Sequence, residues 1–222
     1  MLERRGHFAD MIQAAIGEAW GGGYGEVDVR EDEPPGEVDA AAFVITGSAA
    51  NVPHREPWML RAEAWLRAVV GRGTPTFGIC FGHQILAQAL GGEVVRNPRG
   101  REIGTIRIHR REDDPIFAGV PTSFEANVTH IDTVGTLPPG AVSLARSEQD
   151  DHQAIRFTRT CYGVQFHPEL DREVMTGYVE ARTEILQGER FDVDALRAGI
   201  TDGDLGTRAL RNFIRHIVRG DG

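Results

Sequence analysis

Apolar positions along the chain change period several times, and each change marks an element. Phe8, Met11, Ile12, Ala15, Ile16 and Ala19 fall on one face of a helix over 7–19, and Gly21-Gly22-Gly23 stops it. A short strand is predicted at 27–29, then an acidic, proline-rich loop over 32–36. Residues 40–46 form a continuous apolar run that ends in Gly47-Ser48, the pattern of a buried parallel strand feeding a tight turn. A helix follows over 57–70, with Pro57 in its first turn and Gly71 as its stop. A second buried strand, 74–79, runs directly into a helix over 82–90 that Gly91-Gly92 terminates.

The middle of the chain changes character. Short strands separated by turn signals are predicted at 93–95, 104–109, 123–128, 142–146, 154–157 and 162–166. Helix returns over 171–186, 192–198 and 204–218. This order predicts an α/β fold, a mostly parallel central sheet flanked by helices with an antiparallel extension, formed as one domain over 1–222. Sheets of this kind usually open with a buried strand ahead of the first helix, and here the helix starts almost at Met1. Either the sheet lacks that strand or the start of the chain was assigned too far downstream.

Composition narrows the chemistry. The 222 residues are 41% hydrophobic and 26% charged, which is ordinary globular usage and excludes disordered and collagenous readings. No apolar run approaches the roughly 20 residues that span a bilayer, and residues 1–7 hold no apolar signal segment. A cytoplasmic protein without a membrane role is expected. The 33 acidic residues against 24 basic ones give a net charge of −9, which disfavours nucleic acid as a partner. All the basic residues are arginine, so a Walker A lysine and a Schiff-base lysine are excluded. Cys80 and Cys161 are the only cysteines, so no cysteine-built zinc site exists.

Cys80 lies in Gly78-Ile79-Cys80-Phe81-Gly82, a G-x-C-x-G at a strand-to-helix junction. A nucleophile elbow needs small residues two positions before and after its centre. It would expose the thiol at a helix N-terminus, where the dipole favours a thiolate. The Phe81 N–H would then serve as an oxyanion donor. The other reading of this pentapeptide is a buried cysteine in a βα turn. Partners favour the first. His167 can take the thiol proton, and Glu169, two residues on in extended chain, can orient it. Gly47 at the end of its strand is placed to give a second oxyanion donor.

Together these residues resemble class I (triad-type) glutamine amidotransferases. The resemblance rests on Ile45-Thr46-Gly47-Ser48, Gly78–Gln84, Gly100–Gly104, His130-Ile131-Asp132 with Leu137–Gly140, and Gly163–Glu169, in the family's order. It is strongest to stand-alone proteins similar to the amidotransferase domain of GMP synthase. It implies Cys80 as nucleophile, His167 as base and then acid, and Glu169 as its orienter. It implies an oxyanion hole from Gly47 and Phe81, with substrate contacts from Gln84, Thr129 and His130. No metal or organic cofactor is implied. The implied reaction is hydrolysis of L-glutamine to glutamate and ammonia for a separate synthetase. No Ser-Gly-Gly-Val-Asp-Ser pyrophosphatase loop is present, and Gly47-Ser48-Ala49 stands where the family often has Gly-Gly-Pro.

Three alternatives remain at this level. The same acyl chemistry would serve a hydrolase of γ-glutamyl amides or peptides. The fold could be kept by a catalytically silent protein that only binds a partner. The i, i+2 pairs His130/Asp132 and His167/Glu169 could bind a metal. Elsewhere, Cys161, Trp20, Trp58, Trp65 and His83 read as packing residues, and Arg107, Arg110 and Arg111 as a solvated strand end.

Overall fold

The computed structural model describes residues 8–36 and 40–221. His7, the predicted start of the first helix, and the rest of the N-terminal heptapeptide lie outside the described residues.

The strands are β1 (Phe43–Ile45), β2 (Thr76–Ile79), β3 (Glu93–Arg96), β4 (Glu102–Arg110) and β5 (Ser123–His130). They continue with β6 (Asp132–Thr136), β7 (Val142–Arg146), β8 (Ala154–Arg156) and β9 (Cys161–Val164). Seven of them form one sheet in the order β1-β2-β9-β8-β7-β4-β5. β1, β2 and β9 pair in parallel, and the remaining neighbours pair antiparallel. Strands β1, β2, β9, β7 and β5 thus run one way, and β8 and β4 run the other. The α/β class and the antiparallel extension follow the sequence reading, and the extension takes the larger share of the pairings. β3 and β6 form a separate two-stranded ribbon.

Burial explains the parallel core. Every residue of β2 and β9 is buried, as expected of strands covered on both faces. On one face, α1 (Phe8–Ile16) and α7 (Asp204–Asn212) enclose Phe77, Phe124, Val128, Val164 and Phe166. On the other, α2 (Pro57–Gly71) and α3 (Phe81–Ala89) bury Met59, Leu66, Ile85 and Leu86 against Ile155 and Cys161. A third cluster lies under α4 (Arg172–Glu180), α5 (Thr183–Gly188) and α6 (Val193–Ala198), where Val174, Met175, Val179 and Leu186 cover Ile103 of β4.

The structure corrects several sequence expectations. Residues 27–29 are not a strand. Arg30 Nε donates to Asp28 Oδ1 at 2.9 Å and Asp32 N to the Asp28 carbonyl at 2.8 Å, which curls the chain into a turn with Val27 exposed. The helix predicted over 171–186 is two helices, α4 and α5, broken at Ala181-Arg182. Both pieces bury into the same cluster, so apolar spacing continues across the break and hides it. The tail helix leaves α geometry at Phe213 and continues as a π-helix to Val218. β6 has no counterpart in the sequence reading; it starts one residue after β5, and a single bend at Ile131 carries no turn signal.

Candidate active site

Cys80 adopts φ 50° and ψ −101°, the strained left-handed turn that an elbow needs. Its N–H donates to the Val164 carbonyl of β9 at 2.8 Å, and its carbonyl accepts from Gln84 N at 3.0 Å, so sheet and helix both hold the strain. The two flanking glycines are sterically required. A Cβ on Gly78 would sit 2.5 Å from the Gly82 carbonyl carbon, and one on Gly82 would sit 2.1 Å from the Ile45 oxygen. β1, β2 and α3 therefore close on each other through hydrogen atoms alone. Phe81 N is the first N–H of α3, a position that α-helix geometry leaves without an intrahelical acceptor.

His167 and Glu169 arrive from the segment after β9. His167 N donates to the Asn127 carbonyl at 2.8 Å, and Asn127 Nδ2 donates to Leu170 O at 2.7 Å, so one buried asparagine of β5 brackets both ends of the segment. His167 Nδ1 and Glu169 Oε1 are 2.7 Å apart and buried. His167 Nε2 is buried, with Cys80 near enough to act on the ring. Burial opposes charge on this ring, but the Glu169 carboxylate and Cys80 outweigh it and raise the pKa to about 10. A Cβ on Gly47 would meet His167 Cε1 at 3.1 Å and Cys80 Cβ at 4.0 Å. Gly47, Cys80 and His167 are thus gathered at the carboxyl ends of β1, β2 and β9. Cys80 is 7% exposed.

The remaining predicted residues have distinct positions. Thr129 presents its carbonyl 4.0 Å from Cys80 Sγ. Gln84 is buried and donates through Nε2 to Asp132 O and Gln165 Oε1, both at 2.9 Å. The His130 ring turns into the protein, 3.0 Å from both the Asp132 carbonyl and Glu102 Oε2. The His130/Asp132 and His167/Glu169 pairs are each engaged within the protein, and among the described residues no three His, Cys, Asp or Glu side chains gather as a metal site.

The remaining cysteine, histidine, tryptophan and arginine side chains singled out in the sequence are held by packing and ion pairs. His83 is buried against Phe157 and beneath Gly163, and desolvation lowers its pKa to about 3. Cys161 is a core residue whose thiol burial pushes up. Trp65 stacks edge-on to Phe43 at 4.9 Å, and Trp58 lies 5.5 Å from Phe81. Arg107, Arg110 and Arg111 pair with Glu125, Asp113 and Asp151. Sequence reasoning missed Asn127, Gln153 and Gln165, buried polar residues with partners distant in the chain, and Asp150, which accepts from His152 N and faces His130.

The sequence model of the glutamine amidotransferase class-I family matches residues 29–182, a stretch that holds the elbow and the His167–Glu169 segment. The chain belongs to the class-I glutamine amidotransferase family. A GMP synthase (glutamine-hydrolyzing) of Thermomicrobium roseum is 39% identical over 151 residues, 68% of this chain and 26% of that protein. The chain thus spans about a quarter of the length of that relative. One subunit of a GMP synthase (glutamine-hydrolyzing) from Ignicoccus hospitalis is 36% identical over 138 residues, 62% of this chain and 71% of that one. Among solved structures, a glutamine amidotransferase of Methylobacillus flagellatus superposes with TM-score 0.64 at 26% identity, covering 86% of this chain and 79% of that one. One from Thermotoga maritima shares the fold with TM-score 0.67 at 24% identity, over 79% of this chain and 77% of that one. Among the described residues no helix is long and apolar enough to cross a membrane.

Proposed function

We propose that this chain, working as one domain over 1–222, hydrolyses the side-chain amide of L-glutamine through a cysteine thioester and hands the ammonia to a separate synthetase. The observation that carries this reading is the strained Cys80 elbow beside a buried His167–Glu169 pair at 2.7 Å. The Ignicoccus hospitalis relative, a single subunit most of whose length this chain matches, supports a synthetase on another polypeptide. Two unpaired cysteines suit a reducing, cytoplasmic setting.

In the proposed reaction the Cys80 thiolate attacks the amide carbon. The Gly47 and Phe81 N–H groups receive the oxyanion, each donor worth about 3–4 kcal/mol in such sites. His167, protonated at neutral pH by virtue of its raised pKa of about 10, delivers the proton to departing ammonia. The neutral ring then takes a proton from water as the thioester is hydrolysed, and Glu169 keeps Nδ1 as the donor throughout. The Thr129 carbonyl lies 4.0 Å from the thiol, and Gln84 is assigned to the amino-acid end of the substrate.

The test is glutamate release by purified protein, with Cys80→Ala as control, offered L-glutamine and a panel of γ-glutamyl amides and read by mass spectrometry. Glutamine turnover lost in the variant supports the proposal. Turnover of a γ-glutamyl amide with glutamine untouched would replace glutamine as the substrate. Silence on every substrate, with and without candidate synthetases, would favour a silent binding protein.

A further inference from the structure

Behind the pocket wall lies a buried polar cluster that the proposed reaction does not use. Its centre is the His130 ring. Nδ1 lies 3.0 Å from the Asp132 carbonyl oxygen, which can only accept a hydrogen bond. Nε2 lies 3.0 Å from Glu102 Oε2, which also accepts from Gln153 Nε2 at 2.6 Å. Asp150 Oδ2, buried, sits 3.9 Å from the same Nδ1. Facing a carbonyl on one side and a carboxylate on the other, a neutral imidazole, with one donor and one acceptor, would set a lone pair against an oxygen. A ring with both nitrogens protonated satisfies both contacts.

We infer that His130 is a resident imidazolium, clamped by Glu102 and Asp150, and a positioning residue that fixes the Thr129–Asp132 wall of the Cys80 pocket. The connections run outward from the ring. The Asp132 carbonyl that accepts from His130 accepts also from Gln84 Nε2 at 2.9 Å, on the elbow helix. The Asp132 carboxylate accepts from Asn51 Nδ2 at 2.7 Å, beyond the Gly47 turn. Thr129, directly before His130, faces Sγ with its carbonyl. One charged ring therefore ties β4, the β7–β8 connection and the start of β6 to the helix that carries the nucleophile. Burial works against the charge, but the Glu102 hydrogen bond and the Asp150 and Cys80 charges raise the His130 pKa above its ordinary value. Burial likewise raises that of Asp150. His83 and His152, the imidazoles nearby, both have their pKa lowered by burial, so neither adds a competing cation.

The kinetic part of this inference rests on the glutaminase reading; the structural part does not. The experiment uses the full chain with 15N-labelled histidine, the His130 ring signals being assigned by their loss in His130→Asn. Expected at pH 7 is a ring with both nitrogens protonated. In Glu102→Gln the deprotonation midpoint should fall by at least one pH unit, and amide exchange over 129–132 should rise. Asp150→Asn gives the same readouts in a milder form if Glu102→Gln does not fold. A neutral tautomer at pH 7 in the wild type overturns the inference. So does an unmoved midpoint or unchanged exchange in the variants. With L-glutamine, the variants should raise KM roughly tenfold and change kcat less, the cost of one weakened charge-assisted contact. A fall confined to kcat overturns the positioning role. If wild type does not turn over glutamine, the glutaminase reading fails, and the ring protonation and exchange still decide this inference.

Discussion

The two halves of the main sheet build their share of the site by opposite means. The parallel half, β1-β2-β9, works by closeness: glycines remove side chains so that backbone, thiol and imidazole can meet. The antiparallel half, β8-β7-β4-β5, works by polar contacts between side chains and backbone, with Asn127 bracketing the His167 segment and Glu102, His130 and Asp150 braced behind the pocket wall. Close approach leaves a local sequence signature, because glycine must stand at fixed offsets from the nucleophile. A polar network leaves none, because its members are far apart in the chain and each is an ordinary residue alone.

This contrast can be broken most strongly at the nucleophile. Cys80→Ala should lower glutamine turnover by at least about a thousandfold, measured as glutamate release, while far-ultraviolet dichroism stays that of the wild type. Residual activity near the wild-type level would remove Cys80 from the reaction. Glu169→Gln should lower kcat by roughly a hundred- to ten-thousandfold, since the ring loses its orienting carboxylate and its charge partner. Steady-state kinetics on glutamine check this.

Gly82→Ala tests closeness itself. Its Cβ would fall 2.1 Å from the Ile45 oxygen, so backbone must move. A loss of about 3 kcal/mol or more is expected, and thermal melting should show a drop of roughly 6–12 °C for a chain of this size. An unchanged melting temperature would mean that β1 and α3 are not in fixed contact.

A separate effect should appear in the pH dependence of stability. His167 has its pKa raised to about 10 in the folded state against 6.5 ordinarily. Its charged form is therefore favoured by folding. The stabilisation is complete below about pH 6.5 and is lost as pH rises through about 10. Urea melts between pH 6 and pH 10.5 should show this loss, and Glu169→Gln should flatten it. Smallest of all, Arg107→Ala removes a surface pair to Glu125 and should change stability by less than about 0.5 kcal/mol in the same melts.

Much of the parallel half was legible because its rules are local. Periodicity located α2, β2 and α3, whose observed bounds differ from the predicted ones by one or two residues. The pair Gly78 and Gly82 announced the elbow, and the His-Pro-Glu run announced a ring beside a carboxylate. The failures share a different cause. The strand predicted at 27–29 has β-type residues but pairs with no strand among the described residues, and Asp28 and Arg30 satisfy each other in a turn instead. The break between α4 and α5 is invisible to apolar spacing, because Val179 and Leu186 enter the same cluster from either side. The partners of the His130 ring are equally hidden: it faces Glu102, 28 residues earlier, and Asp150, 20 residues later.

By itself, then, the sequence determined what depends on neighbours along the chain: the helix and strand periods, the strained turn that only flanking glycines permit, and the spacing of an imidazole and its carboxylate. Tertiary structure alone decided what depends on neighbours across it. It set the direction in which each strand pairs, put His167 beside Glu169 and Cys80, turned the His130 ring to Glu102, and raised the pKa of both rings. The physical reason is that a pKa and a hydrogen-bond partner are properties of an enclosed space, and no run of residues encloses a space until the sheet has closed over it.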